Sequence, residues 1–292
     1  MILKMKIPLI VLTVSLLSVL LFYVVAGFFM PSNVSSRAKG DRFIAIKGSR
    51  IRYSSNDQPG QTLIMLHGFG GDHTVWARLS SKVGRARIYS LDLLGFGLSE
   101  ARDVRFDLTT QSEYVVGFMD WLSIGRAVLV GASMGASIAL RMAAHFPARV
   151  SGVIAFAPSG IKGAMRHGWP GHILYRPNMI NSIFRFVLGT RVFKIIFPRS
   201  LALQALDSTA AYNESFANSL PSITQPVLLI WSRGDRRVPF STNVRYRELI
   251  PQAEFLEAPE SAGHSAYRNP TQDITDAIRR FIEGAQENDK DK

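Results

Sequence analysis

The chain contains no cysteine. That excludes disulfides, zinc–thiolate sites and a cysteine nucleophile. Acid is scarce as well. Asp and Glu number 22 against 34 Lys and Arg, for a net charge of +12 and a pI near 10.2. Such an excess points to an anionic partner, with nucleic acid and a membrane surface the usual ones. No internal repeat is visible, so a solenoid is excluded. Charge is also missing from the 24 positions Ile7–Met30.

That uncharged run is apolar. As a helix rising about 1.5 Å per residue it would measure roughly 36 Å, more than the hydrocarbon core of about 30 Å. A cleaved signal peptide is the alternative, but its apolar region runs to only about 7–15 residues. No small-x-small cleavage site is evident. The expectation is therefore a single-pass membrane anchor over residues 1–30, followed by a polar linker over 31–41. Lys4 and Lys6 place the N-terminus in the cytoplasm and the following domain on the other side. Arg37, Lys39 and Arg42 on the second flank argue the reverse.

Beyond the linker, strand and helix signals alternate. Arg42–Ile46 and Arg50–Ser54 alternate around Lys47-Gly48-Ser49, which predicts a hairpin. Apolar strands are expected at Thr62–Leu66, Ala86–Leu91, Val128–Val130, Val150–Ala157, Pro226–Trp231 and Ala253–Glu257. Helices are expected near 74–83, 108–122, 136–145, 241–249 and 270–285. This alternation implies an α/β fold with a mainly parallel sheet and helices on both faces. Sites in such sheets gather beyond the carboxyl ends of the strands.

One strand runs into Gly131-Ala132-Ser133-Met134-Gly135 and then into a helix. A G-x-S-x-G pattern gains meaning in this strand–turn–helix setting. The turn is crowded, and glycine two positions either side of the serine leaves it room. The N–H of Met134, at the start of the helix, points to where an oxyanion would form. Read alone, the five residues are also compatible with a tight turn carrying a solvated serine.

Serine needs a neutral imidazole to take its proton, and the imidazole needs a carboxylate to orient it. Of the six histidines, His264 lies in a loop after the last strand, between small residues. His67 follows an earlier strand and is expected to shape its loop. His73 opens a helix, His145 lies in the helix after Ser133, and His167 and His172 fall in an irregular insert. Asp235 follows the strand Val227–Trp231, whereas Asp92 precedes Gly95-Phe96-Gly97 and reads as part of a turn. The catalytic candidates are thus Ser133, Asp235 and His264. The glycine-rich loop His67-Gly68-Phe69-Gly70 offers the N–H of Phe69 as partner to that of Met134 in an oxyanion hole.

By these motifs the chain resembles the α/β-hydrolase family. The residues that carry the likeness are His67-Gly68-Phe69-Gly70, Asp92 through Ser99, Gly131 through Gly135, Gly234-Asp235 with Val238-Pro239, and Gly263-His264. The resemblance implies an eight-stranded, mostly parallel sheet, a lid insert, no cofactor and no metal. Relatives with aspartate at the elbow are set aside because Ser133 stands there. With its apolar N-terminus and Ala157-Pro158-Ser159-Gly160, the chain looks most like membrane-anchored monoacylglycerol lipases of this family.

The expected core spans 42–160 and 226–287, with the lid at 161–225 and a charged tail at 288–292. From Lys162 to Leu206 the insert has seven Lys or Arg and no acid, with six aromatics among them. A basic, aromatic-rich segment suits an anionic lipid interface as well as an ordinary lid. Nucleic acid is disfavoured, because the basic residues alternate with bulky aliphatics. The leading expectation is a membrane-anchored serine hydrolase of lipophilic esters or monoacylglycerols, with membrane lipid as partner. The alternatives are hydrolytic C–C cleavage of a diketone by the same triad, and a non-catalytic receptor on this fold.

Overall fold

The computed structural model describes Ser15, Ser18 and residues 40–100, 107–161 and 214–290. Eight strands form one sheet: β1 (Arg42–Ile46), β2 (Ser49–Ser55), β3 (Gln61–Leu66), β4 (Ala86–Leu91), β5 (Ala127–Ala132), β6 (Val150–Phe156), β7 (Val227–Ser232) and β8 (Glu254–Ala258). Their order is β1-β2-β4-β3-β5-β6-β7-β8. β1 and β2 pair antiparallel, as do β2 and β4, and every later pairing is parallel. Lys47 and Gly48, at φ 46° and 79°, turn the first hairpin. Two consecutive positive φ angles match the right-handed twist of the flanking strands.

β5, β6 and β7 are buried at every residue, the pattern of strands covered on both faces. Their side chains divide by alternation. Leu63, Met65, Val128 and Val130 face one layer of the core, and Ile64, Leu66 and Leu129 face the other. The first layer is closed by a 3₁₀ turn (His73–Trp76), by α1 (Ala77–Ser80) and by α6 (Gln272–Lys290). Ile274, Ile278, Phe281, Ile282 and Ala285 form one stripe of α6 at helical spacing. The second layer is closed by α2 (Leu108–Trp121), α3 (Met134–His145), α4 (Glu214–Ser219) and α5 (Thr242–Leu249). Edge strand β8 carries exposed Glu254 and Glu257, charges that deter pairing with another chain.

Strand order reverses at β3. The chain passes from β3 to β4 on one side and returns to β5 on the other. The loops after β3 and β5 therefore meet at the switch point, where ligands bind in open sheets of this kind.

One expectation needs correction. Among the described residues no helix is long and apolar enough to cross a membrane. α2, with 14 residues, reaches only about 21 Å. α6, with 19, carries Asp273, Asp276, Arg279, Arg280 and Glu283. The anchor expected at residues 7–30 lies outside the described residues, apart from Ser15 and Ser18. Nothing in the structure supports a spanning helix, and the single-pass localisation and membrane-lipid partner inferred from it are withdrawn. In β2 the side chain of Arg52 breaks the alternation of the strand and is wholly buried. Most of the insert, residues 162–213, lies outside the described residues. Its last turns pack Phe216 and Leu220 into the core.

Candidate active site

Ser133 caps α3 with φ 51° and ψ −112°, a conformation that costs a residue with a Cβ about 1–3 kcal/mol. The neighbourhood enforces it. The Ser133 N–H donates to the Phe156 carbonyl at 2.8 Å, and its own carbonyl accepts from Ser137 N–H at 3.1 Å. A Cβ on Gly131 would lie 2.4 Å from Ala136 N, and one on Gly135 would lie 2.0 Å from the Leu66 carbonyl oxygen. Both glycines are therefore steric requirements of the turn. The Met134 N–H, among the first of α3, has no partner inside the helix.

The loop after β3 runs beside this turn. Gly68–Gly71 is a tight turn closed by Gly71 N–H to the Gly68 carbonyl at 3.0 Å, with Gly70 at φ 72°. A Cβ on Gly68 would approach Ser133 Cβ to 3.3 Å, so the loop lies directly against the serine. Phe69, 38% exposed, stands at its tip and meets Phe96 edge to face. His67 is buried behind it. Its Nδ1 faces the Gly68 carbonyl at 2.7 Å and its Nε2 accepts from Leu93 N–H at 2.9 Å. Those contacts fix a neutral ring with the proton on Nδ1. Burial pushes His67 below the ordinary histidine range, against the opposing pull of the Gly68 carbonyl.

Asp235 and His264 come from the loops after β7 and β8. His264 Nδ1 lies 2.7 Å from Asp235 Oδ2. The other carboxylate oxygen, Oδ1, accepts from the N–H groups of Arg237 and Val238 at 2.8 and 2.9 Å. Asp235 is thus oriented from both sides, and the contact leaves His264 Nε2 for proton exchange. The two loops interlock through Ser232, whose Oγ donates to the Pro259 carbonyl at 2.7 Å and accepts from Gly234 N–H at 3.2 Å. A Cβ on Gly234 would strike the Glu260 carbonyl oxygen at 2.0 Å. Gly263, at φ 53°, turns the chain into His264.

Asp92 stands apart from this pair. Its Oδ1 accepts from the N–H and Nδ1 of His73, both at 2.8 Å, and its Oδ2 accepts from Leu98 N–H at 2.8 Å. Burial works against its charge, but the hydrogen bonds from His73 and Leu98 outweigh it and hold the carboxyl below its usual range. A Cβ on Gly97 would fall 2.1 Å from Asp92 Oδ2, so the glycine is what lets the turn close on the carboxylate.

The sequence pattern of the alpha/beta hydrolase family matches residues 63–277. The chain belongs to that family. A pimeloyl-[acyl-carrier protein] methyl ester esterase of Shewanella sp. (strain MR-7) is 30% identical over 255 residues, covering 76% of this chain and 91% of its own. A 2-hydroxy-6-oxononadienedioate/2-hydroxy-6-oxononatrienedioate hydrolase of Pseudomonas sp. is 26% identical over 265 residues, covering 81% and 93%. The dihydrolipoyllysine-residue acetyltransferase component of the acetoin cleaving system of Pseudomonas putida is 29% identical over 240 residues. That match covers 76% of this chain but only 64% of the longer relative. The protein is an α/β-hydrolase-family enzyme. The expected likeness to membrane-anchored lipases is corrected, since no described helix is long and apolar enough to cross a membrane.

Sequence reasoning passed over Ser232, Arg52 and Asp41. Ser232 was legible as a small polar residue closing an apolar strand. Arg52 carried no such signal, because an arginine in an alternating strand reads as solvated.

Proposed function

We propose that the protein is a serine hydrolase that cleaves a carbon–carbon bond in a small oxo acid of the kind produced by aromatic-ring cleavage. Ser133 is the nucleophile, His264 the proton carrier and Asp235 its orienting carboxylate. The Phe69 and Met134 N–H groups are the oxyanion donors. The observation that carries the chemistry is the Asp235–His264 contact at 2.7 Å, on the same carboxyl rim of the sheet as the strained Ser133 turn. The substrate class rests on the likeness to the dienedioate hydrolase.

In a 2-hydroxy-6-oxo dienoate the chemistry balances as follows. The keto tautomer presents the 6-oxo carbon. Ser133 Oγ adds to it while His264 Nε2 takes the hydroxyl proton, and the oxyanion rests against the two N–H groups. The C5–C6 bond then breaks, with its electron pair going to C5, and His264 returns the proton there. Water, deprotonated by His264, releases the acid from Ser133. The tautomer matters because carbon is a poor leaving group unless its electron pair can spread, here through the C3=C4 double bond into the 2-oxo group.

Ester hydrolysis is the second reading, favoured by the methyl ester esterase at 30% identity. It needs the same groups and an easier leaving group. The lipophilic and monoacylglycerol esters expected from the apolar N-terminus are set aside, since no described helix is long and apolar enough to cross a membrane. A test sets a 2-hydroxy-6-oxo dienoate beside short acyl esters and compares kcat/KM. A dienoate turned over at least about tenfold better supports C–C cleavage. Esters turned over while the dienoate is untouched would overturn it.

A further inference from the structure

Behind the loop at Ser133 lies a ring of buried charge that the proposed chemistry does not use. Arg52 reaches Asp41 Oδ2 at 2.8 Å and Asp92 Oδ2 at 3.3 Å. His73 closes the circle, its Nδ1 2.8 Å from Asp92 Oδ1 and its Nε2 3.3 Å from Asp41 Oδ1. All four side chains are almost fully buried, between 0 and 6% exposed. Burying ions costs several kcal/mol for each, and an apolar replacement of similar volume is often no less stable. Stability alone is a weak reason to keep such a ring.

Position is a better one. Asp92 is followed by Leu93, whose N–H donates to His67 Nε2, and the far side of that imidazole contacts the Gly68 carbonyl. The Gly68 carbonyl also receives Gly71 N–H and so closes the turn that presents Phe69. Three short polar contacts and the Asp92–Leu93 peptide bond thus join the ring to the loop: His73, Asp92, Leu93, His67, Gly68. The loop needs outside support. Three of the four residues Gly68–Gly71 are glycine, which adds no stiffness of its own. Yet it must hold an N–H to within a fraction of an ångström of its productive place, because misplacement by about 1 Å costs about 10²-fold.

We propose that His73 is a positioning residue for the oxyanion loop, acting through Asp92, Leu93 and His67 on the placement of the Phe69 N–H. It rests on the reading of Ser133 as nucleophile and Phe69 as oxyanion donor. His73 touches no reacting atom. It borders a cleft of about 250 Å³ whose walls include Ser54, Ser80 and Ser90, so replacements have room and need not disrupt the core.

The test uses the full chain with His73→Leu, His73→Asn and His73→Gln. Asn keeps an amide donor near the place of Nδ1, facing Asp92. Gln moves its donor toward Asp41, and Leu has none. Two rates are measured: turnover of a short water-soluble ester, and labelling of Ser133 by a fluorophosphonate, whose phosphoryl oxygen occupies the same hole. Expected is a fall in kcat of at least about tenfold for Leu with KM within about twofold, a parallel fall in labelling rate, and recovery of most of both by Asn but not by Gln. A folded Leu variant with wild-type kcat and labelling overturns the proposal, as does a change confined to KM. Should Leu not fold, Asn and Gln variants of equal kcat overturn it. Wild-type protein that the fluorophosphonate does not label overturns the nucleophile reading and this one with it. Labelled wild type with indifferent variants overturns the positioning role alone.

Discussion

Gly135 and Leu66 are packed so closely that a single methyl group does not fit between them. A Cβ on Gly135 would sit 2.0 Å from the Leu66 carbonyl oxygen and 2.6 Å from that of His67. The first turn of α3 is thereby pressed against the end of β3, which brings the Ser133 turn beside the Gly68 loop. Gly135→Ala must push backbone from backbone, since the obstacles are carbonyl groups rather than flexible side chains. Overpacking typically costs about 1–3 kcal/mol, and this contact belongs at or above the upper end. Thermal unfolding should register a loss of that size together with a loss of turnover. An alanine variant with unchanged melting temperature would refute the steric argument.

Ser133 separates chemistry from strain. Ser133→Ala should lower turnover by roughly 10⁴ to 10⁶, as expected for groups that act as a unit. Its φ of 51° burdens alanine as it burdens serine. Glycine carries no such burden, so Ser133→Gly should be equally inactive but more stable than Ser133→Ala, by about 1 kcal/mol. Equal stabilities would mean that the turn is relaxed. Retention of a tenth of the activity by either variant would remove Ser133 from its role.

Much of this architecture was legible in the chain. β5, β6 and β7 read as continuous apolar runs because parallel central strands are covered on both faces. Ser133, Asp235 and His264 stood out as candidates because each follows the end of an expected strand. Arg52 was not legible. Alternation assumes that one face of a strand meets water, and Arg52 on β2 is instead met by Asp41, just before β1, and by Asp92, 40 residues away in sequence. The membrane anchor was an inference from hydropathy alone, and it steered the substrate toward lipids. The loop geometry around Ser133 carries no information on that point, so the error could not be caught from the site motifs.

His67 gives a pH dependence of stability with a definite sign. Burial lowers its pKa in the folded state. The unfolded chain gains a proton on this residue as pH falls through about 6.5, while the folded protein does not. The unfolded state then binds more protons, so stability falls with pH below about 6.5 until the folded pKa is reached. One group contributes at most about 1.4 kcal/mol per pH unit. His145 is also lowered, by burial and by Arg141, and acts in the same window from an exposed position. Urea melts of wild type and His67→Gln between pH 7.5 and 5 should therefore differ in slope. The depressed carboxyl of Asp92 acts only below about pH 3.8 and does not interfere. Parallel curves would contradict the buried neutral imidazole.

Asp235 and Ser232 should differ in degree. Asp235→Asn keeps an oxygen for the Arg237 and Val238 N–H groups but loses the acceptor facing His264 Nδ1. The imidazole then holds the wrong tautomer, and a loss of roughly 10⁴ in kcat is expected. Ser232→Ala only loosens the tie between the two loops, for which a loss of about tenfold with little change in KM is expected. Steady-state kinetics of both variants check the ranking. Full activity in Asp235→Asn would point to another carboxylate.

The acyl-enzyme itself can be tested without seeing it. A 2-hydroxy-6-oxo dienoate bearing a methyl group on C6 would leave an acetyl group on Ser133, and so would 4-nitrophenyl acetate. If both pass through that species, the enzyme has no memory of which leaving group departed. Added methanol then competes with water for one common intermediate. The ratio of methyl acetate to acetate must be the same from either substrate at each methanol concentration, even where their overall rates differ by orders of magnitude. Ser133→Ala should abolish both products in both reactions. Different ratios would mean that the ketone is cleaved by direct attack of water, with His264 as its base and Ser133 demoted to a hydrogen-bonding role. Equal ratios with a measurable rate on both substrates would place ester and ketone hydrolysis in one site. Preference between them would then lie in how readily His264 protonates oxygen or carbon in the leaving group.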